Sequence, residues 1–310
     1  MSIAWLFPGQ GSQEIGMGRA VSEASSAAHA VFEAADRALG RSIKKLCFDG
    51  PLDELTLTYN TQPALVATSL AILAAIREAY PSMTPAFAAG HSLGEYCALV
   101  AAGALSLHDA VRLVELRGRA MQAAVPEGRG AMVAILGGNR DAVLGLCADA
   151  RDAGVVEPAN FNAPGQVVLS GERVAIERAT SLASERKLKA IPLKVSAPFH
   201  CSLMAPAARA VDTALSDIRI GPLAFPVVAN ASGRDNQDPG EVRSLLTRQI
   251  DGAVLWEQSV SRMAEAGVTH ALEIGPGKVL AGLVKRIDKR IRVHSVSDPE
   301  SIAAISEFLA

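Results

Sequence analysis

Gly90-His91-Ser92-Leu93-Gly94 has the form of a nucleophile elbow, a sharp strand-to-helix turn that pushes a serine hydroxyl out of the fold toward a base. Pro85-Ala86-Phe87-Ala88-Ala89 before it is an apolar run of strand length, and residues 95–102 after it predict a helix. Glycines two positions either side of Ser92 remove Cβ atoms that would collide in so tight a corner. The following helix aims free N–H groups and its positive dipole end at the point where the oxygen of a tetrahedral intermediate would gather charge. Ser92 is the first candidate for chemistry. A bare G-x-S-x-G also occurs as an ordinary turn with an idle serine, so its partners decide.

Upstream, Ile3-Ala4-Trp5-Leu6-Phe7 predicts a buried first strand that stops at the breaker-rich loop Pro8-Gly9-Gln10-Gly11-Ser12-Gln13. Glycines on both sides of Gln10 leave its backbone N–H approachable, which is how a loop supplies half of an oxyanion hole. The other half would be the N–H of Leu93. Residues 16–46 and 61–80 are rich in Ala and Leu and predict helix.

Downstream, Ser106 is expected to cap a helix over residues 107–122, with Asp109 completing a start like a capping box. At 100° per residue, Arg112, Glu115, Arg119 and Gln122 share a narrow polar arc, and Arg117 falls near the middle of the apolar one. An inward guanidinium cannot shed its proton and needs an anion. Either a buried carboxylate supplies it permanently or a substrate brings it, and helical geometry alone favours the structural acid.

The period then changes. Strands are predicted at residues 131–136, 155–160, 166–170 and 189–194, with helices at 140–150 and 172–186. This βαββαβ order is that of a ferredoxin-like unit. The expected fold is therefore α/β: a large α/β-hydrolase-like subdomain with a mostly parallel sheet, residues 1–127 and 196–310, into which a small ferredoxin-like subdomain, residues 128–195, is inserted. A ligand would lie in the cleft between them.

The chain re-enters the large subdomain at Ser196-Ala197-Pro198-Phe199-His200-Cys201, where His200 sits at an element boundary before a helix over residues 202–217. His29, His108, His270 and His294 show no obvious partner, and His91, adjacent to Ser92, points away from it, so His200 is the best base by elimination. No acid between Ser92 and His200 completes a triad persuasively; Asp141, Asp149 and Asp152 fall on or near the inserted helix. The last third predicts strands at residues 224–229 and 269–274 and helices at 240–250, 256–266 and 278–286. Lys285, Arg286, Lys289, Arg290, Arg186, Lys187 and Lys189 form the dense basic stretches, read as solvated helix faces rather than a docking patch.

Composition narrows the function classes. A net charge of −2 gives no global attraction to nucleic acid or to an anionic membrane. Cys47, Cys97, Cys147 and Cys201 lie far apart without C-x-x-C spacing or nearby histidines, so neither zinc nor a disulfide framework is expected. No segment is long and apolar enough to span a bilayer, and the expected location is the cytoplasm, with reduced thiols.

Six stretches taken together resemble the malonyl-CoA:acyl-carrier-protein transacylases, the acyltransferase family of fatty acid and polyketide synthesis, over essentially the whole chain. They are Phe7-Pro8-Gly9-Gln10-Gly11-Ser12-Gln13, Gly90-His91-Ser92-Leu93-Gly94-Glu95-Tyr96, Leu116-Arg117-Gly118-Arg119-Ala120-Met121-Gln122, Gly165-Gln166-Val167-Val168-Leu169-Ser170-Gly171, Ala197-Pro198-Phe199-His200 and Glu273-Ile274-Gly275-Pro276-Gly277. The resemblance implies a Ser92 acyl-enzyme with His200 as base, the imidazole being oriented by a main-chain carbonyl near Gln249. It implies that Arg117 grips the free malonyl carboxylate, and that Gln10, Leu93, Met121, Phe199 and Gln249 complete the binding site. Leu93 and Phe199 resemble residues of malonyl-selective members, and a bulky Phe199 would disfavour a branched acyl unit. The implied partners are malonyl-CoA and acyl carrier protein, with no cofactor or metal and no role for nucleic acid or membrane. Three rival readings stay open: a serine esterase or thioesterase, a free-standing acyltransferase of polyketide synthesis, and a non-catalytic scaffold that docks carrier proteins.

Overall fold

The apolar run near the N-terminus becomes a strand flanked on both edges, which is why it needs no polar face. The computed structural model describes residues 2–310. Its first five strands are β1 (Ile3–Phe7), β2 (Phe87–Gly90), β3 (Gly130–Leu136), β4 (Val156–Ala163) and β5 (Gln166–Glu172). The remaining five are β6 (Lys189–Pro192), β7 (Val227–Ala229), β8 (Arg234–Asn236), β9 (His270–Ile274) and β10 (Arg292–Val296).

One sheet is ordered β10-β9-β1-β2-β7-β8 and is parallel except for the β7–β8 hairpin. The chain passes from β1 to β2 on one side and, much later, to β9 on the other, so the strand order reverses beside β1. The crevice at the carboxyl ends of β1 and β2 is a topological switch point, where open α/β sheets bind ligands. Both the 8–13 loop and the elbow open into it. Helices cover both faces. Thr58–Ala79 is buried along most of its length among the largest core cluster, and Trp256–Glu265 and Val279–Ile287 close the other face around Trp256, Leu280 and Val284.

The second sheet, β4-β5-β3-β6, is antiparallel. This is the ferredoxin-like order, and the helices Arg140–Ala150 and Arg173–Glu185 pack on one face through Val143, Leu146, Ile176 and Leu182. Met132, Ala134, Ala159 and Val168 on the other face join the core of the large unit. Backbone bonds from Phe161 N–H to the Val254 carbonyl and from Val254 N–H to the Ala159 carbonyl tie the two sheets' surroundings together.

Several boundaries differ from expectation for local reasons. The predicted 16–46 helix is three helices, Arg19–Ala24, Ser26–Leu39 and Ile43–Asp49, because Ser25 and Ser42 cap new starts and Gly40 ends the second in a left-handed conformation. Pro226 precedes a β7 of three residues, shorter than the predicted 224–229. Asp109 does not complete a capping box: its carboxylate accepts from the Ser106 hydroxyl at 2.6 Å, while its own N–H donates to Ser106 Oγ. Strands β8 and β10 were not expected; both carry charged residues, as edge strands do. Among the described residues no helix is long and apolar enough to cross a membrane.

Glycine is obligatory at the elbow. A Cβ at Gly94 would sit 2.2 Å from the Phe7 carbonyl oxygen, and one at Gly90 would sit 1.9 Å from the Gly94 carbonyl carbon. Neither contact can relax by moving a side chain. Gly94→Ala is therefore expected to cost about 3 kcal/mol or more of stability, measured by urea unfolding. A loss under about 0.5 kcal/mol, the scale of a neutral surface change, would contradict this packing.

Candidate active site

Ser92 leaves the end of β2 with φ 52°, in the left-handed region that a residue with a side chain rarely adopts. The strain is held by the surroundings. Ser92 N–H donates to Asn230 Oδ1 at 2.7 Å, Asn230 Nδ2 donates to the Gly90 carbonyl at 2.8 Å, and Gln249 Nε2 donates to the Ser92 carbonyl at 2.8 Å. The helix Gly94–Ala101 starts directly behind the serine. Among the described residues, the N–H groups of Gln10 and Leu93 donate to no acceptor in the protein, as an oxyanion hole requires.

His200 is also left-handed, at φ 60°, and fully inside the protein. Its Nε2 lies 2.7 Å from Ser92 Oγ, and its Nδ1 lies 2.8 Å from the Gln249 carbonyl oxygen. A carbonyl only accepts, so Nδ1 carries the proton and Nε2 is free to take one from the serine. Burial, followed by the charge of Arg117, pushes the imidazole down from 6.5 to about 3. It is a neutral base across the physiological range. No carboxylate orients it: Asp141, Asp149 and Asp152 are not among its hydrogen-bond partners.

Arg117 is 1% exposed on the helix Leu107–Ala123. The inward phase read from the helical wheel holds, but the predicted structural acid is not in contact: no carboxylate oxygen among the described residues lies within 4.0 Å of it. Its acceptors are neutral. One terminal nitrogen donates to Gln62 Oε1 at 2.8 Å, and the other to Ser92 Oγ and Gln249 Oε1, both at 3.0 Å. Its Nε has no partner, and its guanidinium lies over the Tyr96 ring.

A cavity of about 450 Å³ opens onto these groups, lined by Gln10, His91, Ser92, Arg117, Met121, Phe199 and His200 from the large sheet's side and by Met132, Asn160 and residues 193–195 from the small one's. Leu93 and Gln249 do not line the cavity. Both are buried with side chains outside the cavity lining, so they meet it through the backbone of Leu93 and through what Gln249 holds.

Sequence reasoning missed three residues here. Asn230 anchors the elbow, Gln62 receives Arg117, and Glu95 lies fully buried behind both, its Oε2 accepting from Asn230 N–H at 3.0 Å and Gln249 Nε2 at 2.8 Å. Glu95 left a readable signal: one acid followed by Tyr96-Cys97-Ala98-Leu99-Val100, with no Lys or Arg between Arg77 and Arg112.

A serine, a carbonyl-held imidazole and a buried arginine with neutral acceptors thus meet beside two free N–H groups at one end of the cavity. The acyl transferase domain model matches residues 4–304. The chain belongs to the acyl transferase family. Among similar acyl transferases is the malonyl CoA-acyl carrier protein transacylase of Haemophilus influenzae, 45% identical over 99% of both chains. The crystal structure of acyl-carrier-protein S-malonyltransferase from Burkholderia pseudomallei is 46% identical, with a TM-score of 0.96 over 99% of this chain and 100% of that one. A malonyl-transacylase solved in complex with its type II PKS acyl-carrier protein is 42% identical, with the same TM-score over 99% and 100%.

In this acyl transferase, ¹⁵N-histidine NMR should show His200 neutral, with the proton on Nδ1, as pH falls through 6.5. An imidazolium signal for this ring appearing near 6.5 would contradict the site's electrostatics. The sign for stability follows. The unfolded chain binds this proton from 6.5 downward and the native one does not, so His200 lowers stability progressively as pH falls from 6.5 toward about 3.

Proposed function

We infer that the chain is a malonyl-CoA:acyl-carrier-protein S-malonyltransferase of fatty acid biosynthesis. The observation that carries this reading is the 3.0 Å approach of a fully buried guanidinium to the hydroxyl of Ser92. An acyl group on that oxygen brings its distal end to Arg117, where a carboxylate gains charge-assisted, forked hydrogen bonds and a methyl group gains none.

Two half-reactions follow. Ser92 Oγ attacks the thioester carbon of malonyl-CoA while His200 Nε2 takes the hydroxyl proton, and the carbonyl oxygen gathers charge between the N–H groups of Gln10 and Leu93. The C–S bond then breaks, His200 returns the proton to the departing sulfur, and Ser92 is left as a malonyl ester. In the second half the phosphopantetheine thiol of the carrier gives its proton to His200 and attacks the ester carbonyl. Serine leaves and recovers that proton. No cofactor enters either half-reaction, and the proposed location is the cytoplasm. The substrate also tunes its own base: because Arg117 is one of the charges holding His200 down, a malonyl carboxylate that offsets it restores proton affinity to the imidazole. Met121 and Phe199 line the acyl end of the cavity, where the bulk of Phe199 disfavours a branched unit. The small ferredoxin-like unit, taken as residues 128–195, supplies the opposite wall.

The similarity to a transacylase bound to a type II PKS carrier supports a second reading, loading of a polyketide carrier. Parallel transfer assays with the two carrier types separate them.

Incubation with malonyl-CoA should add one malonyl group to the intact protein by mass spectrometry, and none to Ser92→Ala. Carrier protein should then discharge it as malonyl thioester. Rapid release of free malonate without carrier loading would instead indicate a thioesterase. Arg117→Ala should lower kcat/KM for malonyl transfer by about 2–3 kcal/mol, the scale of a charged hydrogen bond, and for acetyl transfer far less. Equal losses would count against the carboxylate-gripping role.

A further inference from the structure

We propose that Glu95 is the resident counter-ion of Arg117, held one amide away at Gln249. The guanidinium thereby stays charged in the interior while its N–H groups rest on neutral acceptors that a substrate carboxylate displaces.

A fully buried arginine needs a negative charge somewhere in its low-dielectric surroundings. Two carboxylates among the described residues are fully buried, Glu95 and Glu273. Glu273 is committed elsewhere: it accepts from the N–H groups of Leu280 and Ala281 and from the Ser295 hydroxyl. Glu95 is left, and it reaches Arg117 through a single side chain. Gln249 Nε2 has two protons; one goes to Glu95 Oε2 and one to the Ser92 carbonyl, each at 2.8 Å. With both amide protons so directed, Gln249 Oε1 must face Arg117, which it does at 3.0 Å. The acid thus fixes the orientation of the amide, and the amide relays the acid's charge without letting the two ions touch.

Direct contact would defeat the site. A forked Arg–carboxylate pair is strong, directional and expensive to open once desolvated. A substrate carboxylate would have to displace it. Held behind Gln249, Glu95 lowers the cost of the buried cation but leaves the fork available. Glu95 is on this view a positioning residue, touching neither substrate nor reacting atom. Burial pushes its carboxyl up to about 7, with the bonds from Asn230 and Gln249 and the charge of Arg117 pulling down, so its charge is tested well above that pH.

Glu95→Gln is the discriminating substitution. An amide can place its oxygen where Oε2 lies and keep both accepted bonds, so charge alone is lost. The predicted result, at pH well above 7, has two parts. Glu95→Gln and Arg117→Gln each lower the urea midpoint, and the double variant falls by less than the sum. In Glu95→Gln the malonyl-to-acetyl ratio of kcat/KM rises by roughly threefold or more, through a lower KM for malonyl-CoA, because the less compensated guanidinium draws the substrate's carboxylate more strongly. Additive stability losses, or a malonyl-to-acetyl ratio that stays level or falls, overturn the proposal. Should Glu95→Gln not fold, recovery of folding in the double variant supports it, and failure of both while Arg117→Gln folds overturns it. The kinetic arm rests on the malonyl reading. The unfolding cycle does not, so a strong coupling with no malonyl transfer would indict the assigned function and leave the ion relation standing.

Discussion

A permanent positive charge, Arg117, lies inside this protein against the Ser92 hydroxyl, and much of the architecture makes that placement tolerable. A guanidinium in the interior is costly unless it is hydrogen-bonded and electrically balanced. Gln62 and Gln249 supply the hydrogen bonds, from helices far apart in the chain. The same Gln249 holds the imidazole through its backbone and the elbow through its side chain. One residue therefore couples His200, Ser92 and Arg117, and the three share a single hydrogen-bonded frame.

The fold delivers these groups to one place for topological reasons. Parallel strands bring their carboxyl ends to the same edge, and the reversal of strand order beside β1 leaves a gap there between the 8–13 loop and the elbow. The small antiparallel sheet closes that gap from the other side without contributing to the serine–histidine pair. Preorganisation shows in the backbone, where both Ser92 and His200 occupy the left-handed region, a conformation that isolated residues of these types avoid and that persists only when surrounding bonds over-determine it.

What could be read from the sequence was what is written locally. The elbow, the buried first strand and the βαββαβ order rest on apolar periodicity and on turn residues a few positions apart. The inward phase of Arg117 is a property of one helix. Its partners were illegible for the converse reason: Gln62 and Gln249 are 55 and 132 residues away and carry no local mark of pointing inward. A structural acid and a substrate anion do not exclude one another at Arg117, since a buried acid is present but lies behind a neutral amide. Strands β8 and β10 escaped notice because edge strands trade hydrophobic alternation for charge, and the 16–46 segment was over-joined because serine caps and one glycine interrupt an otherwise continuous helical composition.

The central claim is that a dicarboxylic acyl unit on Ser92 turns its free carboxylate inward onto Arg117. A crystal structure of the Ser92 malonyl ester tests it most directly. Both carboxylate oxygens should lie roughly 3 Å from the guanidinium nitrogens, in the forked geometry such pairs adopt, with the Arg117–Ser92 hydrogen bond replaced. A carboxylate pointing out of the cavity into solvent, with Arg117 still on its neutral acceptors, would contradict the account.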